Sequence, residues 1–192
     1  MRDPVRPPLQ ERSRAGWERA LDTASALFEQ GGYEALSVTE VCRRAGISAP
    51  SLYARVDGKD GLFRAVYARG MAAAAASEAE LLPASPTTVE EVVGAITEVF
   101  ARHEGFLKPV IRHAAVDPIL YEAGAQYSRA LVERLAALLP GSREAAAAAA
   151  RLLYAECTFR TMYGPTFWDP AGESGAAFRA HLTEACRRML RD

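Results

Sequence analysis

Residues 37–62 read SVTEVCRRAGISAPSLYARVDGKDGL. Ser37 followed three residues later by Glu40 is a capping-box pattern, in which the hydroxyl accepts from the Glu40 amide and the carboxylate reaches back to the start of the turn. A short helix is predicted over about 38–45 and stops at Gly46, which tolerates the left-handed backbone a tight turn needs. Ser48 can cap the next helix, predicted over about 49–55, and Pro50 falls in its first turn, where a missing N–H is harmless. Asp57-Gly58-Lys59-Asp60 then opens a longer helix reaching about 81, with Leu62, Phe63, Val66, Tyr67 and Met71 on its apolar side.

Outward from this stretch the helical spacing continues. Trp17, Leu21, Ala24 and Phe28 recur at helical intervals up to Gly31-Gly32, which predicts a first helix over about 14–30. Pro83-Ala84-Ser85-Pro86 is a linker. Beyond it, apolar periodicity predicts helices at about 87–103, 105–114, 118–139, 142–163 and 174–190. Alanine accounts for 38 of the 192 residues, against 12 Val and 4 Ile. That bias favours helix over strand, so the fold is expected to be all-α.

Several classes drop out. Three scattered cysteines, Cys42, Cys157 and Cys186, form neither a disulfide framework nor a zinc motif, and a reducing cytoplasm is the expected setting. No apolar run approaches the length of a membrane span, and the charged, Pro-rich start does not read as a signal peptide. No GxSxG, HExxH, P-loop or GxGxxG motif is present, so no catalytic residue, metal site or cofactor is expected. The net charge of −1 divides unevenly: residues 1–70 hold 11 basic and 9 acidic side chains, residues 71–192 hold 12 and 15.

Two short helices joined by Ala45-Gly46-Ile47-Ser48 are the sequence form of a helix-turn-helix, whose second helix enters the major groove of DNA. The wider stretch from Ala20 to Val66, with Phe28, Gly32-Tyr33, Leu36-Ser37-Val38, Val41, Arg44-Ala45-Gly46-Ile47-Ser48, Ser51-Leu52-Tyr53 and the following Lys59-Asp60-Gly61-Leu62, resembles the N-terminal domain of the TetR family of transcriptional regulators. The resemblance implies a flexible arm (1–13), a helix-turn-helix DNA-binding domain (14–58) and a helical ligand-binding and dimerisation domain (59–192). It implies a homodimer on a palindromic operator, most often a repressor released by a small-molecule effector. In the family the lysine matching Lys59 contacts the DNA backbone.

The residue chemistry runs parallel. Ser37, Thr39 and Tyr53 are neutral donors suited to phosphate oxygens, and Lys59, at a helix start, favours a phosphate as well. Base reading falls to Ser48, Ala49, Pro50, Ser51 and Arg55, with Arg43 and Arg44 nearby; Arg55 is suited to guanine. Arg55-Val56 departs from the commoner family pattern, an aromatic or His followed by Phe, and leaves the role of position 55 open between base and phosphate. Arg2, Arg6, Arg12 and Arg14 form a basic tail.

Past Met71 the resemblance is architectural. Phe178, Leu182, Ala185 and Met189 form a stripe on the last helix that, with Leu152, is expected at the dimer seam. Phe100, His103, Phe106, His113, Tyr121, Tyr127, Phe159 and Met162 are the candidate effector contacts, though such residues at helical spacing also serve as plain core. The alternatives are an all-α enzyme and a helical interaction module without DNA binding.

Overall fold

A computed structural model describes residues 11–191, and within these every regular element is a helix. The expected arm lies largely outside the described residues, as do Arg2, Arg6 and the side chain of Arg12. The elements are α1 (Glu11–Ala35), α2 (Val38–Ala45), α3 (Ala49–Tyr53), α4 (Gly58–Leu81), α5 (Val89–Arg102), α6 (Glu104–Ala114), α7 (Pro118–Leu138), α8 (Arg143–Tyr163) and α9 (Gly175–Met189). No described helix is long and apolar enough to cross a membrane.

The chain forms two compact units. One runs through Ala73 and includes Lys108–His113; the other comprises Ala74–Leu107 and the chain from Ala114 onward. The first unit therefore continues past residue 58, because the opening half of α4 buries Leu62, Phe63, Ala65 and Val66. Phe63 meets Phe28 of α1 at 5.5 Å between ring centroids. Trp17, Ala20, Leu21, Ala24 and Phe28 are the buried face of α1, as their spacing predicts. That helix breaks at Gly32, whose φ of 67° only glycine adopts readily, and resumes for a further turn to Ala35.

In the second unit, α5, α7, α8 and α9 share one core built on Val92, Ile96, Leu135, Leu153 and Leu182. The alanine run of α8 supplies Ala146, Ala149 and Ala150, all buried, where small side chains let helices pack closely. Cys157 and Cys186 lie in the same core, and burial pushes their thiols up to about 12 and about 11. α5 starts on a full capping box made by Thr88 and Glu91.

Candidate nucleic-acid interface

The turn between α2 and α3 is locked from three directions. Gly46 adopts φ 64°, ψ 40° and donates its N–H to Cys42 O, closing α2. Arg19 of α1 donates from Nε to the Ala45 carbonyl at 3.2 Å. Ser48 accepts from the Ser51 amide at 3.3 Å, starting α3 in a new direction. α3 has five residues and buries one, Leu52, which is fully enclosed. Its other side chains, Ala49, Pro50, Ser51 and Tyr53, are exposed along with Ser48, and Tyr53 is 51% accessible. A helix held by one apolar anchor and exposed elsewhere can be read by a partner without unfolding anything.

Ser37 caps α2 as expected, accepting from the Glu40 amide at 3.3 Å. The other half of the expected capping box is different: the Glu40 carboxylate turns forward to Arg43, at 2.8 Å from Nε and 2.6 Å from Nη2, and to Arg44. Two guanidiniums outcompete a backbone amide for one carboxylate, and their hydrogen bonds hold Glu40 down to about 2. Arg43 and Arg44 remain solvent-exposed, as does Thr39.

Arg55 is a correction. Although expected on the exposed face of the recognition helix, it lies beyond the end of α3 and is 6% accessible. Its guanidinium bonds Ser13, at 3.1 Å to the carbonyl and also to the hydroxyl, and sits 5.5 Å over the Trp17 ring. A planar cation that stacks on indole and satisfies its donors on α1 is a structural tie, not a base reader. Lys59, in the first turn of α4, is half-buried, with Nζ 4.3 Å from the Tyr33 ring centroid and 3.4 Å from Glu34 Oε2.

The candidate effector contacts do not gather in one place. His113 belongs to the first unit, stacked on Tyr33. Tyr121 points to solvent at 62% exposure. Phe100 and Phe106 are buried, Phe100 edge-on to Tyr154. His103 bonds Ser77 at 2.9 Å, and burial lowers its pKa. The Tyr127 hydroxyl donates to Glu78, an acid 1% accessible whose other oxygen takes Arg134 Nη1 at 2.7 Å. Met162 is half-buried on α8. Phe159 belongs to an aromatic cluster with Tyr163, Phe167 and Trp168.

Of the expected seam residues, Leu182 is buried in the core of the second unit at 4% exposure, and Phe178 and Met189 pack partly against that core. Leu152, Phe178 and Ala185 open onto a cavity of about 670 Å³ between α8 and α9, beside Phe159 and Trp168. Arg19 and Glu78 escaped the sequence reading; each is a charged side chain on an otherwise ordinary helix, and only the fold reveals its partner.

The geometry defines a helix-turn-helix protein carrying a separate helical bundle. Residues 20–66 match the family model for bacterial regulatory proteins of the tetR family. A curated relative, the HTH-type transcriptional repressor ComR of Escherichia coli, is 50% identical over 52 residues; this is 27% of the chain, and the match spans only 25% of the relative's own length. Among solved structures, a transcriptional regulator from Rhodococcus sp. Rha1 superposes with a TM-score of 0.75 at 21% identity, over 91% of this chain and 95% of that one. GusR of Salmonella enterica gives 0.72 at 18% identity, over 96% and 99%. These structures extend the shared fold through the second unit.

Proposed function

We propose that the protein is a DNA-binding transcriptional regulator, a repressor, that acts as a homodimer on a palindromic operator. The observation that carries this is the exposed face of α3: Ser48, Ala49, Pro50, Ser51 and Tyr53 turned outward on a helix pinned by Leu52 alone. In this reading Tyr53, Ser37 and Thr39 meet phosphates, Arg43 and Arg44 exchange Glu40 for phosphate, Lys59 meets the backbone, and Arg55 holds the fold. Two copies then sit about 34–36 Å apart, one helical turn of DNA. The repressor assignment leans on the 50% identity over 52 residues with the repressor ComR.

We assign the second copy to the α8–α9 face, where Leu152, Phe178 and Ala185 border the open cavity and Trp168 stands 78% exposed. Trp168 packs with Phe167 and, through it, with Tyr163, both also exposed, and exposed apolar patches of this kind mark interaction surfaces. A small-molecule effector is assigned to the second unit, with Phe100, His103, Tyr127, Phe159 and Met162 as candidate contacts. Its binding shifts α4 and so the spacing of the two reading heads. Buried free thiols suit a cytoplasmic setting.

One observation favours the rival reading of a helical module that does not bind DNA: the cations of the face are each already engaged, Arg43 and Arg44 by Glu40 and Lys59 by Glu34. Mobility shift on the promoter region of its own gene separates the two. Tyr53→Ala abolishes retardation and Lys59→Ala weakens it, both leaving the dimer intact by sedimentation, and wild-type affinity falls steeply with salt. Unchanged binding by both variants contradicts the assignment.

A further inference from the structure

Lys59 is not a free-swinging cation. Its ammonium lies against the ring of Tyr33, at 4.3 Å from the centroid. Its contacts with Glu34 are looser restraints: the Glu34 side chain is 90% exposed, such pairs are weak in water, and the bond from Nζ to the Glu34 carbonyl is long at 3.5 Å. Whatever fixes the Tyr33 ring therefore fixes where Lys59 can stand.

Tyr33 is held by at least three groups besides Lys59. Its hydroxyl donates to the Asp60 carboxylate. Phe63 meets it edge-on at 5.4 Å. The imidazole of His113 lies flat against it, with ring centroids 4.4 Å apart and planes 8° apart, and is itself edge-on to Phe63 at 5.0 Å. His113 comes from α6, far along the chain from the helix-turn-helix, yet Lys108–His113 belong to the same compact unit. One turn earlier on α6, Pro109 lies over Gly32: a Cβ added to that glycine would stand 3.6 Å from the Pro109 Cβ. Proline and imidazole at i and i+4 thus cap the Gly32-Tyr33 break together.

From this we infer that His113 is a positioning residue for the DNA-backbone contact: its ring sets the Tyr33 ring, and the Tyr33 ring sets the Lys59 ammonium. The inference rests on the DNA-binding reading above. It differs from a filler role in a specific way, because it makes the effect of His113 pass through Lys59.

Lys59 and Lys108 are the only lysines, so reductive ¹³C-methylation gives two side-chain dimethyl signals, assigned with Lys59→Arg, and keeps the charge. The Lys59 signal is shifted upfield by the Tyr33 ring current. In His113→Ala it moves toward its position in unfolded protein, while His113→Phe, which restores a flat ring, keeps the wild-type shift. His113→Leu fills the volume without a flat ring, is expected to match Ala, and serves should Ala not fold.

On a DNA duplex selected by the wild type, His113→Ala reduces the log–log salt slope by about 0.9 per protomer, the value of one phosphate contact. Lys59→Ala does the same, and combining the two reduces it no further. A Lys59 signal unmoved in His113→Ala and His113→Leu overturns the inference, as does an affinity loss that is equal with and without Lys59. Wild-type protein that fails to bind any duplex overturns the DNA-binding reading and the inference together; wild-type binding with an unmoved signal overturns the inference alone.

Discussion

Truncating Leu52 to alanine is expected to detach the recognition helix. α3 spans only Ala49–Tyr53, too few residues to persist on its own backbone hydrogen bonds. Leu52 is its single buried side chain, with no accessible surface. Emptying a fully enclosed leucine site costs about 2–5 kcal/mol, and the central value near 3 applies because Leu52 has no accessible surface where α3 packs on α1 and α2. With a urea m-value of about 1–2 kcal/mol/M for a small unit, the midpoint drops by about 1.5–3 M.

The protein has two tryptophans, and they report separately. Trp17 is 7% exposed in the first unit, and Trp168 is 78% exposed in the second. In a Trp168→Phe background, fluorescence follows Trp17 through the urea titration. A midpoint shift below about 0.5 M, under 1 kcal/mol at that m-value, would refute the claim that Leu52 anchors α3.

Two further outcomes follow from the buried charges. Arg55→Ala lowers stability by about 2 kcal/mol through lost charge-assisted bonds to Ser13, yet leaves the selected DNA sequence unchanged; thermal melts with sequence selection check both, and an altered guanine preference at full stability would return Arg55 to base reading. Burial raises the Glu78 carboxyl above its ordinary range, more than Arg134 lowers it, so the charged form is the disfavoured one in the fold. Arg134→Ala strands that charge and costs about 1–3 kcal/mol at pH 8, below a fully buried pair because Arg134 is half-exposed. As pH falls through the raised Glu78 pKa, the carboxyl takes up a proton and the penalty shrinks; urea titrations at pH 8 and pH 5 giving the same penalty would contradict this.

The element order was legible because most of the helices carry local punctuation. Ser37, Ser48, Asp117, Ser142 and Ser174 cap helices, and Gly46 and Gly164 end them. The apolar stripe of α1 ran to the glycine pair at which the helix breaks. The fate of individual charges was not legible. Arg55 and Arg43 are both arginines beside the turn, and only the position of Trp17 and Ser13 on α1 decides that one is buried and the other exposed. The Glu40 carboxylate had two local options and took the cations, since a bidentate guanidinium bond exceeds a bond to an amide. His113 sits on a helix of the second half of the sequence pattern, yet long-range packing places its ring against Tyr33. Periodicity sees neighbours three and four residues apart; it does not see across helices.

The central claim is tested most directly by selecting duplex DNA from a random pool with the purified protein at low salt, then measuring retardation of the winner by wild type and Tyr53→Ala. The account predicts a palindrome with half-sites one helical turn apart, about 34–36 Å, bound by the wild type and released in Tyr53→Ala. A pool that never enriches, or a winner that Tyr53→Ala binds as tightly as the wild type, would contradict it.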